Sequence, residues 1–355
     1  LLDKEWQKNQ NKNNNRWEKL DLADGDSINM EFVYLLRPPA NFIRPTSVIF
    51  FLGGAALGQF PHIAYSEMLT RISNSLGAAV IAAPFATGLD HFELAKETGE
   101  LFRRSMIKCE EELQWPIEKL PRYALAHSLG AKLTIINIAA TDFGEDLQGI
   151  GLVSYNNFGL SKSVGMAKTF VDSIRQTTAS SANAGMMDTL FEFAEQVTQG
   201  IGLDFQPNPE VMDRLVTMKL SPTLQRKTRL FCFDEDGLDC SERLLECCQS
   251  SEGASMTTAP TVSGLPGTHL TPVFLKLGVD DLDGVPDEAK EMAGEVIGFE
   301  SASFGNEQDL NGLVREVCSW VTGKAATRGP KWGATREPEY ARRLSGAMDA
   351  EIESS

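Results

Sequence analysis

The chain has 355 residues, 42% of them hydrophobic and 23% charged, the proportions of an ordinary soluble protein long enough for one large α/β domain with an insertion or for two smaller ones. A net charge of −16 argues against nucleic acid as a partner, because such binding depends on Lys and Arg displacing counterions from phosphates. No run of about 18 apolar residues is present to span a membrane.

The six cysteines (Cys109, Cys232, Cys240, Cys247, Cys248, Cys318) show neither C-x-x-C spacing nor the density of a disulfide scaffold, and reduced, mostly buried thiols are expected. His62, His91, His127 and His269 form no H-E-x-x-H pair, so neither a metal nor a cofactor is expected. Neither a signal peptide nor an Arg- and Ser-rich transit segment is visible after Leu1, which is compatible with a chain that starts after a removed presequence.

Residues 1 to about 27 are polar, include the tract NQNKNNN, and read as a disordered or extended segment with Trp17 docking on the domain. A folded domain is expected over 28–322. It opens with Glu31–Leu36, an edge strand stopped by Pro38 and Pro39, and Ser47–Leu52 (SVIFFL) is the first fully buried strand.

That strand runs into the Gly-rich loop LGGAALGQFP. A Walker phosphate loop is excluded, since Gly58 is followed by Gln59 and Phe60 rather than Lys and Ser or Thr. A dinucleotide fingerprint fits poorly, because the next strand, Ala78–Pro84, ends without an acid. The best fit is a loop whose backbone N–H groups, from Gly54 or Ala55 together with Leu129, turn toward a developing alkoxide.

Tyr65, Leu69, Ile72 and Leu76 keep helical spacing, as do Phe92, Ala95, Gly99, Phe102, Met106, Cys109 and Leu113. Strands alternating with such helices predict a mostly parallel, doubly wound α/β sheet, with its ligand crevice at the carboxyl ends of the strands.

Arg122–Ala126 reads as a buried strand and Leu129 onward as a central helix, which leaves Ser128 in the sharp turn between them. Small residues stand two before and two after it, Ala126 and Gly130, as a nucleophile elbow requires. The competing reading of Ser128 is an ordinary helix N-cap. His127, adjacent to it, reads as structural.

Gly149–Tyr155 is the following strand, after which Asn156 and Asn157 either cap a helix or line the crevice. From Leu160 to Met218 no strand signal exists, and the stripe Met187, Leu190, Ala194, Val197, Ile201 with Phe191 and Phe193 alongside predicts an inserted helical cap over about 160–218. Met186, Met187, Leu190, Phe191, Phe193 and Val197 offer more apolar surface than one helix face needs, so Phe193 is a candidate to line a site for an apolar acyl or prenyl-type chain.

Thr228–Phe233 is a strand followed by DEDGLD. Its glycine falls fourth and Leu245 stands where a calcium loop needs Glu, so a calcium loop is excluded, and Asp236 and Asp239 both stay open as the acid of a catalytic set. A last short strand at Ala259–Ser263 leads to His269 in a glycine-bounded loop. Serine, aspartate and histidine thus occur in that chain order, each just after a predicted strand. Asp280–Glu300 carries eight acids against one lysine, Leu310 to Val321 forms a closing amphipathic helix, and 323–355 reads as a flexible tail.

The segments FFLGGAALGQFPHIAY, APFATGLDHFELA, AHSLGAKL, SYNNF, FQPNP, FDEDGLD and LPGTHLTP, in this order, resemble the "domain of unknown function 1350" family of photosynthetic organisms over about residues 30 to 277. That family is similar to the α/β-hydrolases. The resemblance implies that fold, Ser128, Asp236 and His269 as the triad, which leaves Asp239 as the reserve acid, and in algae or plants a chloroplast address. It implies no particular substrate. The chain is therefore expected to be a serine hydrolase of ester or thioester bonds acting on a small-molecule or lipid-like substrate. The competing expectation is a catalytically inactive hydrolase-like binding or assembly factor in the plastid.

Overall fold

Five apolar segments, Val48–Leu52 (β3), Ala79–Ala82 (β4), Arg122–His127 (β5), Gly149–Val153 (β6) and Thr228–Phe233 (β7), have no polar face to turn to water, and they pack side by side at the centre of one sheet. The computed structural model describes residues 16–22, 31–55, 57–160, 163, 204–251, 253, 255, 257–278 and 301–331. With Trp17–Asp21 (β1), Phe32–Leu36 (β2) and Thr261–Leu265 (β8) the sheet has eight strands in the order β1-β2-β4-β3-β5-β6-β7-β8. Strands β4, β3, β5, β6, β7 and β8 pair in parallel, and β2 and β1 add antiparallel at one edge. The strand order reverses direction between β3 and β5, where the crevice of such a sheet opens.

Helices cover both faces. On one side Ser66–Leu76 (α1) packs Met68, Leu69 and Ile72 against the sheet, joined there by Leu313 and Val317 of the closing helix. On the other lie His91–Leu113 (α2), Leu129–Ala140 (α3), Pro209–Lys219 (α4), after which comes the short Pro222–Lys227 (α5), and Ser241–Gln249 (α6). The closing helix is Glu307–Val321 (α7). Each large apolar side chain so buried contributes roughly 1.5–3 kcal/mol. Leu275–Gly278 (β9) and Ser301–Phe304 (β10) form a separate antiparallel pair. No described helix is long and apolar enough to cross a membrane.

Several boundaries differ from the sequence reading. Within the polar N-terminal stretch, Trp17–Asp21 is a strand: Trp17 is buried, its indole N–H donates to Ser66 Oγ at 3.1 Å, and β1 rather than β2 is the edge. Strand β8 begins at Thr261, two residues later than the pattern suggests, because Pro260 has no N–H for the ladder. Residues 209–218, assigned to the cap, belong to α4, whose Met212 and Val216 are buried in the same core as α3. The cap residues Met186, Met187, Leu190, Phe191, Phe193 and Val197 lie outside the described residues.

At the other end, the segment through Lys331, assigned to a tail, runs beside β8. Gly264 N–H donates to the Arg328 carbonyl at 2.8 Å, and any side chain at Gly264 would collide with the Gly329 carbonyl. Glu316, buried on α7, accepts from Ser263 Oγ (2.8 Å) and Thr327 N–H (3.1 Å), while Arg328 and Lys331 both pair with Asp234.

Candidate active site

The turn from β5 into α3 is made by a single residue. Ser128 N–H donates to the Val153 carbonyl at 3.0 Å, extending the sheet ladder by one step, while its own carbonyl accepts from Ala131 N–H at 3.0 Å and opens the helix. To do both, Ser128 takes φ 54°, ψ −118°, a strained conformation for a residue with a Cβ. Its hydroxyl makes no capping bond to α3, so the reading of Ser128 as an ordinary N-cap does not hold. The two small positions have different tolerances. Ala126, buried, stands opposite Leu52 and Leu152 in the register of the neighbouring strands, but a Cβ at Gly130 would run into the Leu52 and Gly53 carbonyls.

The acid and the histidine are brought together by an extension of the β7–β8 ladder. Asp234 N–H donates to the Leu265 carbonyl at 2.9 Å, and Glu235 N–H to the Gly267 carbonyl at 3.0 Å. Gly267 has φ 121°, and a side chain there would also strike Thr271 Oγ1, so this position needs glycine. Asp236 and His269 emerge from these two loops facing each other. His269 Nδ1 is 2.9 Å from Asp236 Oδ2 and 3.1 Å from Oδ1, and His269 Nε2 is 2.9 Å from Ser128 Oγ.

Because an ionised carboxylate can only accept, Nδ1 carries the imidazole proton and Nε2 is left to accept from the serine hydroxyl. Burial opposes ionisation of Asp236, but the facing His269 charge and the hydrogen bonds it accepts, including one from Leu238 N–H at 2.8 Å, outweigh it and hold its pKa below the usual range. Burial likewise works against a charged His269, and the Asp236 charge and hydrogen bond overcome it, raising its pKa above the ordinary histidine value. The Asp236 side chain is fully buried, whereas that of His269 is 15% exposed, so the imidazole is the part of this pair nearer to solvent.

Asp239, the reserve acid, does not reach the imidazole. It accepts from Ser241 N–H at 2.8 Å at the start of α6, and burial of its carboxyl, followed by the Asp236 charge, raises its pKa to about 7.

Of the oxyanion candidates, Gly54 spends its N–H on Tyr65 Oη at 2.7 Å. Its carbonyl accepts from Gly58 N–H at 2.6 Å, and since carbonyl and N–H point oppositely across a trans peptide, the Ala55 N–H is aimed the other way. Neither Ala55 N–H nor Leu129 N–H, the first of α3, has a protein acceptor among the described residues. The helix N-terminus adds partial positive charge at Leu129.

Asn156 and Asn157 are occupied in packing. Asn156 accepts from Phe158 N–H at 3.2 Å, and Asn157, 7% exposed, donates to the Pro209 carbonyl (3.3 Å) and Asp213 (3.4 Å) of α4. Phe193 lies outside the described residues. Two further side chains lie beside the site, Tyr65, which in the sequence reads as one member of a helical apolar stripe, and His127, which reads as structural.

This strand order and register, with the elbow at the end of β5, the acid after β7 and the histidine after β8, define an α/β-hydrolase fold. Within that class the chain belongs to the family described as "Protein of unknown function (DUF1350)", whose model matches residues 34–281. No curated protein matches it in sequence. Similar solved structures include a soluble variant of monoglyceride lipase from Saccharomyces cerevisiae in complex with a substrate analogue (8% identity, 85% of this chain and 95% of that one, TM-score 0.46). The peroxisomal alpha-beta-hydrolase Lpx1 of the same yeast aligns over 96% of this chain and 97% of its own (10% identity, TM-score 0.44). The fluorophosphonate-binding serine hydrolase FphF of Staphylococcus aureus aligns over 72% and 92% (13% identity, TM-score 0.41).

Proposed function

We propose that the protein is a serine hydrolase of carboxylic ester or thioester bonds. One observation carries the reading: Asp236, His269 and Ser128 form a continuous hydrogen-bonded chain, with the serine on a strained turn at the start of α3. In this mechanism Ser128 Oγ attacks the carbonyl carbon as its proton passes to His269 Nε2. Asp236 fixes the imidazole tautomer and stabilises the imidazolium, while Ala55 and Leu129 N–H groups hold the oxyanion, a donor of this kind being worth about 10²–10³ in rate. The alcohol or thiol leaves with the proton from His269, and water, deprotonated by the same nitrogen, releases the acid from the acyl-enzyme.

The substrate class proposed with it is an apolar acyl or prenyl-type chain, supported by the Met and Phe content of residues 186–197. Hydrolysis of p-nitrophenyl esters of increasing acyl length tests both parts. Turnover by the wild type and none by Ser128→Ala is the expected result, with kcat/KM rising by up to about fourfold per added methylene. A folded wild type as inactive as Ser128→Ala would replace this reading with that of a binding or assembly factor. A preference for acetate over octanoate would remove the lipophilic substrate alone. The chloroplast address is proposed from the family resemblance, and the location of the full gene product fused to a fluorescent protein tests it.

A further inference from the structure

Two buried side chains beside the site have no part in the mechanism above. Tyr65 is 0% exposed and His127 1%. Tyr65 Oη accepts the Gly54 N–H at 2.7 Å and lies 2.9 Å from His127 Nδ1, and His127 Nε2 lies 2.9 Å from the carbonyl oxygen of His269. The polarity of every bond follows from its ends. The His269 carbonyl can only accept, so His127 Nε2 carries the proton and Nδ1 accepts from the Tyr65 O–H, whose oxygen is then left to receive Gly54 N–H. One uninterrupted chain therefore runs from the backbone of the oxyanion loop to the backbone of the residue that serves as base.

We infer that Tyr65 and His127 are positioning residues, which through this buried hydrogen-bond chain hold the oxyanion loop and the His269 loop in fixed register on either side of Ser128. The inference rests on the serine hydrolase reading of the site. Space-filling alone would be served by Phe and Leu, and a buried phenol and imidazole are costly unless their polar atoms are paired. The surroundings are shaped to these two rings: a Cβ on Gly53 would lie 2.6 Å from Tyr65 Cε2, and one on Gly54 would lie 3.2 Å from His127 Nδ1. Burial, then the nearby His269, lowers the His127 pKa to about 3, so the imidazole stays neutral and the polarity of the chain stays constant over the working range. Gly54 is joined directly to Ala55, so a shift of Tyr65 moves the oxyanion donor, and a misplacement of about 1 Å at such a donor costs on the order of 100-fold in rate.

Three variants dissect the chain. Tyr65→Phe keeps the ring and removes both upper bonds, His127→Asn retains an acceptor for Tyr65 but loses the bond to His269, and His127→Gln retains a donor for His269 but loses the acceptor for Tyr65. All three are expected to lower kcat on a p-nitrophenyl ester by roughly 10- to 100-fold with KM unchanged. They are also expected to move the downfield proton resonance of His269 Nδ1–H, a signature independent of turnover. In the wild type, nitrogen NMR is expected to find His127 neutral with its proton on Nε2. An Nδ1–H tautomer of His127 would overturn the inference. So would folded variants whose kcat and His269 resonance match the wild type. A wild type without esterase activity would count against the hydrolase reading, while the tautomer and the His269 resonance would still decide the role of Tyr65 and His127.

Discussion

Ser128 Oγ and His269 Nε2 lie 2.9 Å apart although 141 residues separate them in the chain. The proximity is produced by two devices: the one-residue turn from β5 into α3, and the two-bond extension of the β7–β8 ladder that carries Gly267 and its loop to the same sheet edge.

The two acids are separable by substitution. Asp236 meets the imidazole and Asp239 meets a backbone N–H. Asp236→Asn is expected to lower kcat by about 10⁴, the cost of the wrong imidazole tautomer in a serine protease, and Asp239→Asn by far less. Steady-state kinetics of both variants on one p-nitrophenyl ester make the comparison, and the reverse ranking would move the acid role to Asp239.

A sign follows for the pH dependence. In the proposed mechanism His269 is the base and must be neutral, and its pKa is raised, so kcat/KM is expected to climb with pH through an apparent pKa above the ordinary value of about 6.5. Stability runs the other way. The charged pair of His269 and Asp236 contributes fully below the unfolded histidine pKa and is lost as pH rises through the folded one. Thermal unfolding of wild type and His269→Ala against pH is expected to show the gap between them narrowing above about pH 6.5. An acid limb below 6.5 would contradict the assignment.

Asp239 gives a stability effect of the same sign from a different cause, the charging of a buried carboxyl. Its folded pKa, about 7, exceeds the unfolded value of about 3.9, so between those limits the folded state holds the extra proton and stability falls as pH rises. Asp239→Asn keeps an acceptor for Ser241 N–H and removes the titration. Denaturant unfolding is expected to show a variant more stable than wild type at pH 8. A penalty at pH 8 as large as at pH 5 would show that the carboxylate is not destabilising.

The two small residues at the elbow are not equivalent. Gly130→Ala places a methyl against the Leu52 and Gly53 carbonyls and is expected to cost about 1–3 kcal/mol in stability and most of the activity. Ala126→Gly loses only a methyl in a strand, about 0.5–1 kcal/mol, and is expected to retain turnover. Equal effects of the two changes on the melting temperature would contradict the close approach seen at Gly130.

Much of this was legible in the sequence, and for identifiable reasons. Uninterrupted runs such as VIFFL and GIGLV, too short for helices, read as buried strands, and a serine between such a run and an apolar helix, with Ala126 and Gly130 flanking it, leaves little choice of turn. The order of Ser128, Asp236 and His269, each just after a strand of the parallel sheet, then fixes the edge where they meet. Strand β1 was hidden because only Trp17 and Leu20 of its five residues are buried and its neighbours are polar. Helix α4, which begins at Pro209, was hidden because no strand signal separates it from the insertion. The hydrogen bonds of Tyr65 and His127 were not readable, although His127 reads as structural, since periodicity reports which face a side chain occupies and not where its hydroxyl or ring nitrogen finds a partner. Choosing between Asp236 and Asp239 without the family pattern needed the loop geometry, because both stand in the same short acidic run.

The most direct measurement of the proposed chemistry is covalent labelling with a fluorophosphonate probe, which reacts with a serine only when a neighbouring base has activated it. Wild-type protein is expected to label at a single site, mapped to Ser128 by mass spectrometry, with the rate falling at low pH as His269 becomes protonated and with no labelling of Ser128→Ala. A folded wild type that stays unlabelled, or labelling that persists in Ser128→Ala, would contradict the role given to Ser128.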